Sequence, residues 1–131
     1  MNYLDSSIIV PALLARHPNH QDCFHLVNAH AVTSCHALAE SFSTLNGQYK
    51  VANFKVTEMI ERFAEVAQLE TILPTDYLAV IKEARTRGIQ GGLIYDAIHA
   101  AVARRLGVEK IFTYNLSDFK HVAPDLNVVS P

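Results

Sequence analysis

Short apolar runs alternate along the chain with longer segments in which apolar residues recur at helical spacing. The short runs predict strands over residues 3–4, 31–33, 71–73, 110–113 and 128–129, because they are brief and bounded by polar, glycine or proline residues. The longer segments predict helices over residues 8–14, 20–30, 35–46, 56–67, 75–87 and 95–106. This alternation predicts an α/β fold in which helices cover both faces of a parallel sheet.

The chain of 131 residues has the length of one domain, which we expect to span residues 1–131. Its composition is 50% hydrophobic and 18% charged, which indicates a globular core. Cys23 and Cys35 show no paired spacing, so a disulfide framework is not predicted and a reducing compartment is favoured. The first residues do not resemble a signal peptide, and no apolar run is long enough for a bilayer. We therefore expect a cytoplasmic protein with no membrane contact.

The overall charge is slightly negative, with a formal net charge of −2 and a pI near 6.4. Most nucleic-acid-binding proteins are basic, so this balance weighs mildly against such a partner. A local basic patch can still bind RNA, and divalent cations bound to acidic residues shift the balance towards positive. The candidate RNA contacts are Arg16, Arg85, Arg87, Arg104 and Arg105. The alternative for each arginine is an ordinary solvated position.

Four acidic residues fall close to the predicted ends of strands. Asp5 ends the first strand, and Asp118 follows the strand that ends at Thr113. Glu40 lies in the helix after the second strand, and Asp96 begins an alanine-rich helix. Ligands of open parallel sheets bind beyond the carboxyl ends of the strands, so these four side chains are predicted to converge on one edge of the sheet.

Each acid also has a simpler explanation. Asp5 or Asp96 can cap a helix or interact favourably with its macrodipole. Glu40 can be a solvated helix residue, and Asp118 can form a turn with residues 115–117. However, Asp96 lies in a nearly apolar segment, where a carboxylate is costly unless it is paired, capped or bound to a metal. The functional interpretation therefore depends on the four residues together.

Phosphodiester hydrolysis is the chemistry that such a set of carboxylates favours. Mg²⁺ and Mn²⁺ prefer oxygen ligands, and Mg²⁺ keeps several waters while it binds only a few carboxylates. A bound divalent cation lowers the pKa of a coordinated water and so provides a nucleophile without a serine or a cysteine. The four acids therefore predict a metal-dependent site that cleaves phosphodiester bonds.

Four segments, in this order, resemble the PIN domain and, within it, the VapC group of bacterial and archaeal toxins. They are residues 3–7 (YLDSS), 39–40 (AE), 95–101 (YDAIHAA) and 112–119 (FTYNLSDF). The resemblance covers nearly the whole chain and implies a three-layer α/β/α fold around a parallel sheet of about four to five strands. It also implies Mg²⁺- or Mn²⁺-dependent endoribonuclease activity, homodimerisation and a cognate antitoxin as protein partner.

The same resemblance implies roles for individual residues. It makes Asp5, Glu40 and Asp96 metal ligands, bound directly or through water. It gives Ser6 and Thr113 hydroxyl groups that hold water or phosphate. The free N–H groups of the helix after Asp5 suit a scissile phosphate.

Two residues near these acids affect the predicted site. Asn115 stands where many family members have an acid, which favours Asp118 as the fourth acid and leaves a second metal ion in doubt. His99 follows Asp96 by one turn and is interpreted as a packed histidine rather than a catalytic base, because metal-bound water can supply the base.

Other functions stay open at this point. A housekeeping PIN nuclease in RNA maturation would carry the same acids as a toxin. A non-catalytic PIN-like binding module agrees poorly with the presence of Asp5, Glu40 and Asp96. A phosphatase or receiver-type domain phosphorylated at Asp5 would need a second nearby acid and a suitably placed lysine. If an antitoxin binds, we expect its groove to be built from residues 9–14 and 42–63.

Overall fold

The computed structural model describes residues 1–131 and contains one five-stranded sheet in which every strand pair is parallel. The strands are β1 (Asn2–Leu4), β2 (Ala31–Ser34), β3 (Gln68–Glu70), β4 (Lys110–Phe112) and β5 (Val128–Val129). Their spatial order, β3-β2-β1-β4-β5, puts β1 at the centre of the sheet. Tyr3 is paired with Val32 on one side and with Ile111 on the other. The predicted parallel sheet is confirmed.

Seven helices connect and flank the strands. They are α1 (Ser6–Leu13), α2 (His20–Phe24), α3 (Cys35–Ser43), α4 (Asn53–Val66), α5 (Pro74–Arg87), α6 (Leu93–Leu106) and α7 (Leu116–Val122). A π-helical turn, Thr44–Gln48, follows α3, so the α-helical part ends earlier than predicted. Gly107 ends α6 with a φ of 64°, which an L side chain rarely adopts. None of the helices combines the length and the apolar character needed to cross a membrane.

Adjacent residues of β1 face the two helical layers. Leu4 packs with Ile8 of α1 and Phe63 of α4 on one face of the sheet. Tyr3 packs with Val102 of α6 and Phe119 of α7 on the other face. Side chains alternate across a strand, so a central strand covered on both faces is apolar throughout. The arrangement is the expected three-layer α/β/α fold.

The third strand lies earlier in the chain than predicted. Residues 71–73 form no strand, whereas β3 at Gln68–Glu70 pairs with the end of β2. β3 is an edge strand with exposed or half-exposed residues, so it requires no apolar run. The hydrophobic pattern therefore did not predict a strand at these residues. Ile72 instead packs against the core beneath α6 and α7.

Helix α2 is shorter than the helix that the apolar spacing predicted over residues 20–30. The helix ends at Phe24, and the chain turns before it enters β2. The Asn28 side chain stabilises this turn, since it donates to the His25 carbonyl and accepts from the His30 N–H. Such side-chain hydrogen bonds compete with helix formation.

Residues 114–118, for which no strand or helix was predicted, lead into α7, which begins at Leu116. Phe119 and Val122 are buried in the core, and this burial stabilises a helix that is too short to persist alone. Asp118 therefore lies in the first turn of a helix and not in the turn that was its alternative explanation.

Candidate active site

The predicted acids lie around the carboxyl-terminal edge of the sheet. Asp5 directly follows β1, and Thr113 directly follows the neighbouring strand β4. Glu40 lies in α3, which begins directly after β2. Asp96 and Asp118 lie in the first turns of α6 and α7. Because all strands are parallel, their carboxyl ends bring these elements to the same edge.

Asp5 caps α1 and is only 6% exposed. Its Oδ1 atom accepts hydrogen bonds from the Ser7 N–H at 3.0 Å and from the Ser7 hydroxyl at 2.6 Å. Its Oδ2 atom accepts from the Thr113 hydroxyl at 2.9 Å. Burial raises the pKa of Asp5, and these hydrogen bonds oppose part of the rise. Asp5 therefore caps its helix and is also fixed by a side chain at the end of β4.

Ser7, which follows the predicted site residue Ser6, supplies the hydroxyl that contacts Asp5. The Ser7 hydroxyl also accepts from the Tyr114 N–H at 2.9 Å and lies 3.3 Å from the Thr113 hydroxyl. The Ser6 side chain is half-buried and lines a cavity beside the acids. An N-cap accepts from the second or third residue of its helix, and this rule would have identified Ser7 from the sequence.

Glu40 is held by His99, a residue that the sequence analysis interpreted only as core. The Nε2 atom of His99 lies 2.7 Å from Oε1 of Glu40, and His99 is 3% exposed. Burial by itself would raise the pKa of Glu40, but its hydrogen bond to His99 and the nearby His36 outweigh burial and lower it. His99 is thus both packed and in contact with a predicted site residue.

The other ring nitrogen of His99 indicates its tautomer. Nδ1 lies 2.6 Å from the Tyr3 hydroxyl and 3.2 Å from the Ser34 hydroxyl. Burial raises the pKa of the Tyr3 phenol, so Tyr3 keeps its proton and donates it to Nδ1. Because a carboxylate can only accept a hydrogen bond, the network assigns a proton to Nε2, which donates to Glu40.

The pKa of Asp96 depends on its burial and on the other predicted acids. Burial and the charges of Asp5, Asp118 and Glu40 raise the pKa of Asp96 to about 6. Asn115 donates from Nδ2 to Oδ2 of Asp96 at 3.1 Å, so its amide lies among the acids. The charges of the other acids thus add to the effect of burial at Asp96, and a bound cation would oppose their repulsion.

The set of donors suits a hydrated, hard divalent cation. No group of histidine, cysteine, aspartate and glutamate side chains forms a ready-made cage of three or more ligands. Mg²⁺ is usually held by one or two carboxylates and several waters, so an open arrangement of carboxylates fits its chemistry. Burial raises the pKa of both Asp5 and Asp96, so a bound cation would favour the ionised forms of these two acids in particular.

Three of the five arginines predicted to contact RNA are paired with acids. Arg104 and Arg105 lie in the last turn of α6, at the end of the helix that is far from Asp96. Their partners are Asp125 at 2.7 Å and Asp76 at 2.9 Å.

The remaining arginines lie on two other elements. Arg87 pairs with Glu83 at 2.9 Å within α5, and Arg85 is exposed on the same helix. Arg16 lies nearer the acids, with its Cζ atom 5.8 Å from the centre of the Tyr49 ring. The structure therefore does not gather the five arginines into one basic patch at the acidic site.

Three solved structures share this fold over nearly the whole chain. VapC20 from Mycobacterium tuberculosis, a toxin that cleaves the sarcin–ricin loop, has a TM-score of 0.78 at 18% identity, and the match covers 100% of both chains. VapBC2 from Rickettsia felis, bound to a DNA fragment from the promoter, has a TM-score of 0.70 at 20% identity, covering 99% of this chain and 98% of that one. FitAcB from Neisseria gonorrhoeae has a TM-score of 0.65 at 20% identity, covering 98% and 96%.

At these identities the likeness to solved structures establishes the fold alone. No curated protein sequence matches the chain. The family model of the PIN domain, however, matches residues 3–124, a range that includes the four acids and all strands except β5. This match covers most of the chain and agrees with the observed parallel sheet and the motifs around Asp5 and Asp96. The chain therefore belongs to the PIN domain family.

Proposed function

We propose that the protein is a metal-dependent endoribonuclease that binds Mg²⁺ or Mn²⁺ at Asp5, Glu40, Asp96 and Asp118. The observation that carries this proposal is the placement of four acids at the carboxyl-terminal edge of the sheet, where burial and then the charges of the other three raise the pKa of Asp96 to about 6. Carboxylates that repel one another at the open edge of a parallel sheet are expected where a cation binds. This geometry supports phosphodiester hydrolysis better than a nucleophilic mechanism, because the Ser34 hydroxyl beside His99 is fully buried and the Ser7 hydroxyl is engaged in holding Asp5.

Each residue of the site has a separate task in this proposal. Asp5 and Asp96 hold the ion, while Glu40, oriented by His99, and Asp118 bind it directly or through water. A bound divalent cation neutralises charge on the scissile phosphate and lowers the pKa of water. Ser7 and Thr113 fix the Asp5 carboxylate through the hydrogen bonds described above. The Asn115 amide keeps Asp96 turned towards the other acids.

Cleavage of labelled RNA by the purified chain tests this proposal. We expect cleavage with Mg²⁺ or Mn²⁺, none with EDTA, and a loss of at least about a hundredfold in Asp96→Asn. Glu58→Gln is the matched control, since Glu58 is an exposed residue of α4, and it should cleave as wild type. Equal cleavage by wild type and Asp96→Asn would contradict the proposal.

We further propose that the nuclease is the toxin of a toxin–antitoxin pair and acts in the cytoplasm. An apolar groove between α1, α2 and α4 supports a protein partner, because Phe24 and Val66 line it while 61% and 47% exposed. Of the two predicted segments, residues 9–14 and 42–63, this groove includes only Ala12, Leu13, Arg62 and Phe63. Ile9, Val10 and Leu14 are buried. The antitoxin would therefore contact Leu13 and α2 rather than the whole of either segment.

The test of this partner is co-purification with the product of the neighbouring gene. We expect Phe24→Ser to weaken the complex and Phe54→Ser to leave it intact, because Phe54 is 72% exposed and does not line the groove. A complex that is unchanged in Phe24→Ser would exclude this groove as the contact.

A further inference from the structure

A cavity of 380 Å³ lies directly beside the candidate acids. We call it the Tyr49 cavity. Its lining includes Ser6, Ser7, His17, Asn19, Thr44 and Tyr49, and Tyr114 forms part of its rim. A cavity of this size can hold a small ligand or one unit of a polymer.

The Tyr49 cavity and the acidic site share a wall. The Ser7 hydroxyl, which lines the cavity, donates to Oδ1 of Asp5 at 2.6 Å. The N–H of Tyr114 donates to the same hydroxyl at 2.9 Å. A ligand in the cavity therefore lies one side chain away from a predicted metal ligand, so part of a polymeric substrate can occupy it during cleavage.

Aromatic rings border the cavity. The centres of the His17 and Tyr49 rings are 5.7 Å apart, with a tilt of 60° between their planes. The Arg16 guanidinium lies 5.8 Å from the centre of the Tyr49 ring and donates to the Tyr49 carbonyl, which fixes this aromatic residue. Such rings provide π faces on which a base can stack.

Four polar side chains of the cavity are free to bind a ligand. The side chains of Asn19, Thr44 and Tyr49 make no hydrogen bond within the chain, and neither does that of Ser6. No aspartate or glutamate lines the cavity, although the neighbouring site is acidic. An anionic sugar–phosphate unit is therefore not repelled here, and hydroxyl and amide groups are available to the edges of a base.

We propose that the Tyr49 cavity binds the nucleotide next to the scissile phosphate, with its base unstacked from the RNA strand. The inference rests on the proposed ribonuclease function and identifies a subsite of it. The ligand is a single-stranded ribonucleotide unit, whose base stacks on Tyr49 and hydrogen-bonds with Asn19 or Thr44. Single-stranded RNA is recognised in this way because its bases can be splayed out.

The first test compares cleavage of a randomised RNA pool by wild type and variants, with cut ends read by sequencing. We expect Tyr49→Ala to raise KM about tenfold with kcat nearly unchanged, because stacking contributes to binding. Asn19→Ala should flatten the base preference at one nucleotide beside the cut. Phe54→Ala lies outside the cavity and should retain the wild-type KM, while Tyr49→Phe keeps the ring and should recover most of the affinity that Tyr49→Ala loses.

The second test uses NMR and does not depend on cleavage. Nucleoside 5′-monophosphates and inorganic phosphate are titrated separately into the Asp96→Asn chain. We expect the ring signals of Tyr49 and His17 to shift with the nucleotides and to stay in place with phosphate alone. This readout remains decisive if Tyr49→Ala does not fold.

The outcomes separate this inference from the proposed function. Absence of cleavage by wild type would refute the proposed function, while the nucleotide titration would still test the cavity. An unchanged KM and base profile in both cavity variants, or no nucleotide-dependent ring shifts, would overturn the subsite. If the cavity variants no longer co-purify with the product of the neighbouring gene but cleave RNA as wild type does, the cavity is a protein contact. This result would also overturn the subsite.

Discussion

The Nε2 atom of His99 lies 2.7 Å from Oε1 of Glu40, although the two residues are 59 positions apart in the chain. The contact joins α6 to α3 across the carboxyl-terminal edge of the sheet. On the other side of the ring, Tyr3 of β1 contacts Nδ1 at 2.6 Å. A buried chain of hydrogen bonds thus runs from the central strand to one of the predicted metal ligands and fixes the orientation of its carboxylate.

We predict that His99 is a positioning residue for Glu40. His99→Leu should lower Mg²⁺ affinity and kcat/KM by about 10- to 100-fold, because groups that orient metal ligands typically have effects of this size. His99→Gln should recover part of the loss, since its amide can also donate to Glu40. Calorimetric titration with Mg²⁺ and RNA cleavage give the two readouts.

Tyr3→Phe checks the tautomer separately. It should alter the side-chain ¹⁵N shifts of His99, because Nδ1 loses its closest hydroxyl partner. If both His99 variants bind Mg²⁺ as wild type does, the positioning role is excluded.

We predict that Asp96→Asn stabilises the metal-free protein near neutral pH. The pKa of Asp96 is about 6 in the folded chain and near 3.8 in the unfolded one, so the folded state binds the extra proton in this window. The free energy of unfolding therefore falls as pH rises between these two pKa values. Above the folded pKa the destabilisation by the charged carboxylate has reached its full size. After allowance for solvent screening, Asn should gain roughly 1 kcal/mol at neutral pH, or about 3–5 °C in Tm.

Thermal unfolding in EDTA across the pH range measures this effect. The higher stability of Asp96→Asn relative to wild type should disappear below about pH 4, where Asp96 is protonated in both the folded and the unfolded chain. Added Mg²⁺ should raise the Tm of wild type more than that of the variant. A variant that is less stable than wild type at every pH would contradict the repulsion inferred at the site.

We predict that α5 forms a homodimer contact. Tyr77, Leu78 and Ile81 are 41%, 66% and 59% exposed on this helix, and exposed apolar side chains this close together are typical of interfaces. Ile81→Glu should convert a dimer into a monomer, because a charge is costly in a buried contact. Light scattering during size-exclusion chromatography measures the mass, and Phe54→Glu on α4 is the matched control. A mass unaffected by Ile81→Glu would exclude this face.

We predict that Asp76 stabilises the fold without contributing to catalysis. Its carboxylate accepts from the Leu73 N–H at 2.8 Å and pairs with Arg105 at 2.9 Å, and Asp76 is 7% exposed. Asp76→Ala should cost about 1–3 kcal/mol, because it removes a helix cap and leaves the Leu73 N–H and the Arg105 guanidinium without their carboxylate partner.

The pH dependence of this loss has a defined direction. Burial opposes ionisation of Asp76, but the Arg105 and Leu73 hydrogen bonds outweigh it and lower the pKa of Asp76. Its contribution is therefore present above the unfolded pKa and is lost as pH falls through the folded pKa. Urea unfolding at neutral and acidic pH measures both effects, and kcat should stay near the wild-type value. A large loss of kcat in a folded Asp76→Ala chain would contradict the structural role.

The alternation of apolar runs determined the parallel sheet, because buried parallel strands need continuous apolar residues and crossover helices need a helical period. Local chemistry likewise marked the end of α6 at Gly107. The positions of Asp5 and Asp96 relative to these elements indicated the edge of the sheet where a site could form. Local propensity was insufficient to predict β3 and α7. β3 is a half-exposed edge strand, and α7 is stabilised mainly by the burial of Phe119 and Val122.

The partners of the site residues were decided only by the tertiary structure. The sequence marks His99 as one apolar-face residue among many, and its contacts with Tyr3 and Glu40 depend on three separate elements meeting. The pairing of Arg104 and Arg105 with acids is equally non-local. Periodicity and caps depend on residues a few positions apart, so the sequence determined them. Hydrogen bonds and ion pairs between distant segments depend on how the helices pack on the sheet, so only the folded chain determined those.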